Sequence, residues 1–267
     1  MGINSSIHDD IDRLYHWQPF DAGRLEKILL DRSVYCSNPA DFNDPWDGKP
    51  HFNTDLLQDL PDFEKMIHYT IDIFRRQFPT KPEAEIIKTE AKLRNDPLAF
   101  KKVIEATSQD MANGISRVFR VYCLGPSVEN LLMWSHYADG HKGICIEFNT
   151  QNEVICNALR VEYRKDYPKW RLDDSANRLD VLLTKADVWE YEQEYRLICQ
   201  EIGSTKSQGN LTTKNDFLKL PDNAMLSVIV GCNGPYEEVR NLVAKVAPGI
   251  RVRRAIYVPN RFELTIV

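Results

Sequence analysis

The stretch Val188-Trp189-Glu190-Tyr191-Glu192-Gln193-Glu194-Tyr195-Arg196-Leu197-Ile198-Cys199 changes its periodicity midway. Upstream of it, Leu182, Leu183, Ala186 and Trp189 fall three or four residues apart, which predicts a helix. From Gln193 the period is two. Glu194 and Arg196 take one face of a strand, and Tyr195, Leu197 and Cys199 take the other. Two acids and an arginine therefore gather where a helix gives way to an apolar strand. Such a cluster is either a salt-bridged strand start or a catalytic carboxylate held by its own arginine. The surrounding Trp189, Tyr191 and Tyr195 favour a site that is partly shielded from water.

Working outward, the chain before this junction alternates between strands and helices. Leu14-Tyr15-His16-Trp17 reads as a strand, Asp21 as the cap of a helix through Leu25, Ile28 and Leu29, and Val34-Tyr35-Cys36-Ser37 as a second strand. A loop dense in Asn, Asp and Pro follows, Asn38 to Asp47. Its Asn and Asp side chains serve turns by bonding nearby backbone. A rigid polar loop at a strand end, carrying Asn43 and Asp44 and anchored by Phe42 and Trp46, is also where a ligand binds.

From about 55 to 118 the pattern is helical. One apolar stripe runs Leu56, Leu60, Phe63, Ile67, Ile71, Phe74, and another Phe100, Ile104, Thr107, Met111, Ile115, Val118. Asp96-Pro97 suits the start of the second. Strands are expected at Phe119–Leu124, Gly143–Phe148, Leu159–Tyr163, Met225–Val230, Ile250–Val258 and Phe262–Val267, with helices at Leu131–Ala138 and Pro235–Val246. Gln200 to Asn223 reads as a loose polar hairpin. The predicted class is α+β: a mixed, largely antiparallel sheet core in one domain, 1–267, with a helical insert at about residues 55–118.

Composition excludes several functions. The net charge is −5 over 267 residues, which argues against broad nucleic-acid binding. No apolar run is long enough for a bilayer, and no signal core opens the chain, so a cytoplasmic protein without membrane contact is expected. The opening Met1-Gly2-Ile3-Asn4-Ser5-Ser6 fits a myristoylation pattern, but no basic patch follows it. None of the six cysteines forms a C-x-x-C pair, and Cys36, Cys123, Cys145 and Cys199, in apolar strand-like runs, read as small buried hydrophobes. There is no phosphate loop, G-x-G-x-x-G or G-x-S-x-G. His136 and His141 lack H-E-x-x-H spacing, and no metal is predicted.

Five segments together resemble the bacterial domain-of-unknown-function family numbered 2971. They are Leu14–Trp17, Ser37–Asp47, Met133-Trp134-Ser135-His136-Tyr137-Ala138-Asp139-Gly140-His141-Lys142-Gly143, Trp189–Arg196 and Val230-Gly231-Cys232. Members more usually carry lysine where His16 stands. The label implies no activity.

A second resemblance, of layout, is to the ADP-ribosyltransferases. These place a His or Arg on an early strand, a Tyr or Ser on the next, and a catalytic Glu on a late one. His16, Tyr35 with Ser37, and Glu194 follow that order here. The likeness implies NAD as substrate, with an unknown acceptor: a protein, a nucleic acid or a small molecule. It implies Glu194 as the carboxylate facing the ribose, Glu192 orienting or deprotonating the acceptor, and His16 on the adenosine side. Tyr35, Trp134 and Tyr137 would stack on rings, and Arg196 or His141 would meet a phosphate.

Two other readings fit the same residues. One is a metal-dependent nuclease or phosphoesterase using Asp44, His136, His141, Glu192 and Glu194. The other is a non-enzymatic binding or regulatory module. All three readings expect His16, the Ser37–Asp47 loop, the Met133–Gly143 segment and the Trp189–Arg196 junction to meet in one pocket.

Overall fold

Two sheets share one core, and the fold is α+β. The computed structural model describes residues 11–51, 60–168, 179–203 and 211–267. Gly2, Leu56 and the middle of the polar hairpin lie outside the described residues. The chain begins with β1 (Arg13–Gln18), α1 (Ala22–Asp31) and β2 (Ser33–Tyr35). A helical block follows, of α2 (Leu60–Gln77), α3 (Glu83–Asn95) and α4 (Pro97–Val118). Next come β3 (Phe119–Leu124), α5 (Leu131–Tyr137), β4 (Ile144–Asn149), and the short strands β5 (Leu159–Arg160), β6 (Glu162–Arg164) and β7 (Thr184–Ala186). The chain then runs through β8 (Tyr195–Glu201), β9 (Thr212–Lys214), β10 (Phe217–Lys219), β11 (Met225–Val230), α6 (Tyr236–Val246), β12 (Arg251–Tyr257) and β13 (Leu264–Ile266).

The first sheet has the order β1-β4-β11-β12-β13. All its pairs are antiparallel except β11–β12, which α6 connects as a parallel crossover. The second has the order β2-β10-β9-β8-β3, with β5 also on β8. An isolated bridge from Tyr15 to Gly125 stitches β1 of the first sheet to the end of β3 in the second, and another, from Ser37 to Val121, links the two edges of the second sheet. Leu14, Ile146 and Phe148 from the first sheet pack with Val34, Leu124, Tyr195, Leu197 and Cys199 from the second. The Tyr195, Leu197 and Cys199 face of β8 is therefore the one in the shared core.

Local chemistry fixes the helix starts. The Asp21 carboxylate accepts from Arg24 N at 2.7 Å at the head of α1, and Asp96 accepts from Ala99 N at 2.9 Å at the head of α4. The insert has its own core, made by Phe63, Ile67 and Ile71 of α2, Ile86 and Leu93 of α3, and Phe100 and Ile104 of α4. The end of α4 reaches the rest of the molecule through Ile115, which packs with Val121, Val181 and Leu182.

Two segments differ from expectation. Leu182 to Trp189 is not an α-helix: 3₁₀ turns at Asp180–Leu182 and Asp187–Glu192 flank strand β7. Tertiary pairing overrides the helical spacing, because β7 lies parallel to β6 with Tyr163 opposite Lys185. The expected strand Leu159–Tyr163 is split at Val161. Before it, Leu159 pairs with Arg196 of β8; after it, Glu162 pairs with Thr184 of β7. Val161 N donates to Glu194 O at 2.9 Å and Glu162 N to Leu183 O at 2.7 Å. This change of partner brings β7 beside the start of β8.

The Val230-Gly231-Cys232 segment owes its glycine to a close backbone approach. A Cβ on Gly231 would lie 2.2 Å from His141 O, and that carbonyl is held by Asn233 N at 3.1 Å. Gly231→Ala is expected to cost about 2–3 kcal/mol by overpacking, read as a lower urea midpoint. Gly114→Ala, in α4 with nothing within 4 Å of the added Cβ, should instead raise stability by about 0.5–1 kcal/mol.

Candidate functional site

Arg196 sits on β8 between Cys123 of β3 and Leu159 of β5, and is 1% exposed. A buried guanidinium needs a partner for each of its five N–H groups. It finds all five. Nη1 and Nη2 donate to the two Asp47 oxygens at 2.8 and 2.5 Å. Nε and Nη2 donate to Glu194 at 2.8 and 2.9 Å, and Nη1 also donates to Leu182 O at 2.8 Å. The Phe42 ring lies against the guanidinium, 5.1 Å from centroid to Cζ.

Lys185 is the second buried cation. Its Nζ donates to Glu192 Oε2 at 2.5 Å and Glu194 Oε2 at 3.1 Å, with Asp47 Oδ2 at 3.9 Å and the Trp189 ring 5.1 Å away. Three carboxylates thus surround two cations, leaving one negative charge in excess. The Tyr137 hydroxyl donates to the other Glu192 oxygen at 2.6 Å.

The electrostatics separate the two glutamates. Burial pushes the Glu194 carboxyl up, but the Arg196 and Lys185 charges outweigh it and hold the group down to about 2. Burial dominates at Glu192, whose carboxyl stays raised despite Lys185, with the Glu194 charge adding to the rise. Burial would lower Lys185, but Glu194 and Glu192 together raise it above the ordinary ammonium value. Burial, then Glu194, raises the Cys123 thiol well above its usual value, so it stays protonated. His16 Nδ1 donates to Cys123 O at 2.8 Å, its ring stacks on Tyr122, and burial lowers its pKa to about 4. The imidazole is therefore neutral, with Nε2 the bare acceptor.

These groups line a hollow of about 260 Å³. His16 and Trp17 come from β1, Ser37, Phe42, Asn43 and Asp47 from the loop, and Met133 and Tyr137 from α5. Lys185, Glu192, Glu194 and Arg196 come from the β7–β8 region. The four expected segments do converge there.

Not every expected residue takes part. Asp44 accepts from Trp46 N at 2.9 Å, as a turn residue does, and lines a smaller neighbouring cavity. Tyr35 is 49% exposed and packs edge-on against Phe217, because β2 turns that side chain away from the core. Trp134 is buried, donates to Val128 O at 2.6 Å and packs against Trp17. His136 packs on Tyr191, and His141 lies at the Gly231 turn with φ 67°. Arg196 cannot also meet a phosphate, since all its donors are engaged. The sequence reading passed over Lys185, Asp47 and Tyr163, whose hydroxyl accepts from Glu194 N at 2.8 Å. A lysine following Val181-Leu182-Leu183-Thr184 was the available signal for a buried cation.

The fold and site define an α+β protein with a charged hollow between two stitched sheets. The model of a family described as a protein of unknown function, DUF2971, matches residues 133–197, from Met133 of α5 to Leu197 of β8. That span carries Tyr137, Lys185, Glu192, Glu194 and Arg196, and supports the resemblance drawn from the motifs. No curated protein and no solved structure matches the chain.

Removing Asp47 leaves two donors of the buried guanidinium without their carboxylate. Asp47→Ala is expected to cost about 3–5 kcal/mol in denaturant unfolding. Glu194 also sets a pH dependence. Its pKa falls from 4.5 to about 2 on folding, so its contribution is complete above 4.5 and is lost as pH drops toward 2. Unfolding free energies measured across that range should fall accordingly.

Proposed function

We propose that the hollow cleaves the bond between ribose and a positively charged nitrogen base, as in ADP-ribosyl transfer from NAD, with Glu192 as the reactive carboxylate. The observation that carries this reading is the one negative charge that Arg196 and Lys185 leave in excess, with Glu192 sharing its lysine with Glu194. Breaking the C1′–N bond sends its electron pair to the nicotinamide nitrogen and leaves positive charge on C1′ and the ring oxygen. A carboxylate in a cluster with more acids than cations stabilises that charge more than it stabilises the ground state. The acceptor, water or another hydroxyl, then bonds to C1′ and loses its proton to Glu192, whose raised pKa suits it to hold one. The products are nicotinamide, the ribosylated acceptor and one proton.

The other residues take supporting roles. Lys185 and Tyr137 fix both Glu192 oxygens. Neutral His16 offers Nε2 to a ribose hydroxyl, and Trp17, Phe42 and Met133 supply apolar wall. Glu194 acts as a positioning residue that holds Arg196 and Lys185. The metal-dependent reading has less support, since Lys185 and Arg196 already stand among the carboxylates that a divalent cation would need.

Glu192→Gln should keep the fold and reduce NAD breakdown by about 10²–10⁴-fold, followed as nicotinamide release. The rate should rise with pH through a value above the ordinary glutamate range, as the Glu192 carboxylate forms. Unchanged nicotinamide release in this variant would reject the assignment.

A further inference from the structure

Across the buried Asp47–Lys185 pair lies a second cavity of about 220 Å³, and both residues line both spaces. The two cavities differ in charge. The larger has one buried carboxylate in excess. In the smaller, with the shared pair set aside and Arg164 paired to Glu162, Lys49 and Lys165 match Asp44 and Asp166 in number, so it lacks the acid excess of the larger. Asp44 is already engaged by Trp46 N at 2.9 Å, and Arg164 bonds Glu162 at 2.9 Å. Lys49 and Lys165 have no ion-pair partner among the described residues.

The cavity also has aromatic members. Trp46 is 64% exposed although it lines a concave space. Tyr167 donates its hydroxyl to Trp46 O at 3.1 Å and to Lys49 O, which ties the turn carrying both residues to the segment after β6. Unpaired ammonium groups suit phosphate oxygens, and an open indole suits a base.

We propose that the smaller cavity takes the pyrophosphate and adenine half of the dinucleotide, with Lys49 and Lys165 on the phosphates and Trp46 against the base. This rests on the reading of the larger hollow as the site of the cationic ring and its ribose. At about 260 Å³ that hollow houses a ring with its sugar, below the size of roughly 300–1,000 Å³ usual for larger ligands, so the rest of the molecule must leave it. The shared Asp47–Lys185 border is where the chain of the ligand would pass. The cationic end then meets the acidic hollow and the anionic end meets the two lysines of the smaller one.

Calorimetry on the full chain tests this, with ADP-ribose and nicotinamide riboside as separate probes. The Lys49→Ala/Lys165→Ala variant should weaken ADP-ribose binding by about tenfold or more and flatten its salt dependence, leaving nicotinamide riboside unaffected. Trp46→Ala should weaken ADP-ribose but not inorganic pyrophosphate. If nicotinamide riboside binds while ADP-ribose affinity stays within about twofold in the double-lysine variant, the subsite is overturned and the larger hollow keeps its assignment. If neither probe binds the unaltered protein, the reading of the larger hollow fails and the subsite fails with it.

Discussion

A guanidinium with no access to water is the constraint around which this molecule is arranged. Ionised groups are expensive to bury, and Arg196 is tolerated only because five separate acceptor contacts reach it. Those acceptors come from the loop after β2, from the turn before β7 and from the residue just before β8. Each must arrive at a defined angle, because the guanidinium fork is planar and rigid. The same requirement explains the split strand at Val161: unless β6 leaves β8 to join β7, neither Leu182 O nor Lys185 reaches the fork's neighbourhood.

With Arg196 and Lys185 fixed, the acids are not equivalent. Asp47 and Glu194 are consumed by the guanidinium. Glu192 shares only a lysine that also serves Glu194, and takes its second contact from a phenol. The acid left with the weakest claim on the cations therefore stands at the end of a 3₁₀ turn, two positions before the residue that alternation alone picks out. The change of direction at Gln193, with φ 47°, lets both glutamates face the same lysine.

Much of this was legible in the sequence, and the limits have physical causes. Short apolar runs marked β1, β3, β4 and β11, and a period of two marked β8, since each of these strands contributes to the shared core. Caps marked α1 and α4. The segment 182–189 misled because a helix and the observed 3₁₀–strand–3₁₀ path both bury Leu182 and Leu183, while the pairing of β7 with β6 cannot be read from spacing. Among the candidate site residues, those flanking the hollow were visible as polar groups beside aromatics. Trp134, His136 and His141 have that signature too, but Trp134 satisfies its own N–H at Val128 and His141 lies in a glycine-crowded turn. Asp47 and Lys185 were hidden because their meaning lies in partners far along the chain, which one sequence does not pair.

The distance between those partners has a consequence for how the protein comes into being. Asp47 leaves the ribosome 149 positions ahead of the arginine that neutralises it. Until synthesis passes β8, the early loop has nothing to close upon, and the acids of the hollow stay solvated. Closure is thus a late event of biosynthesis, gated by the arrival of one cation, and nascent chains stopped short of it carry every element of the early strands without the pocket they were shaped to enclose.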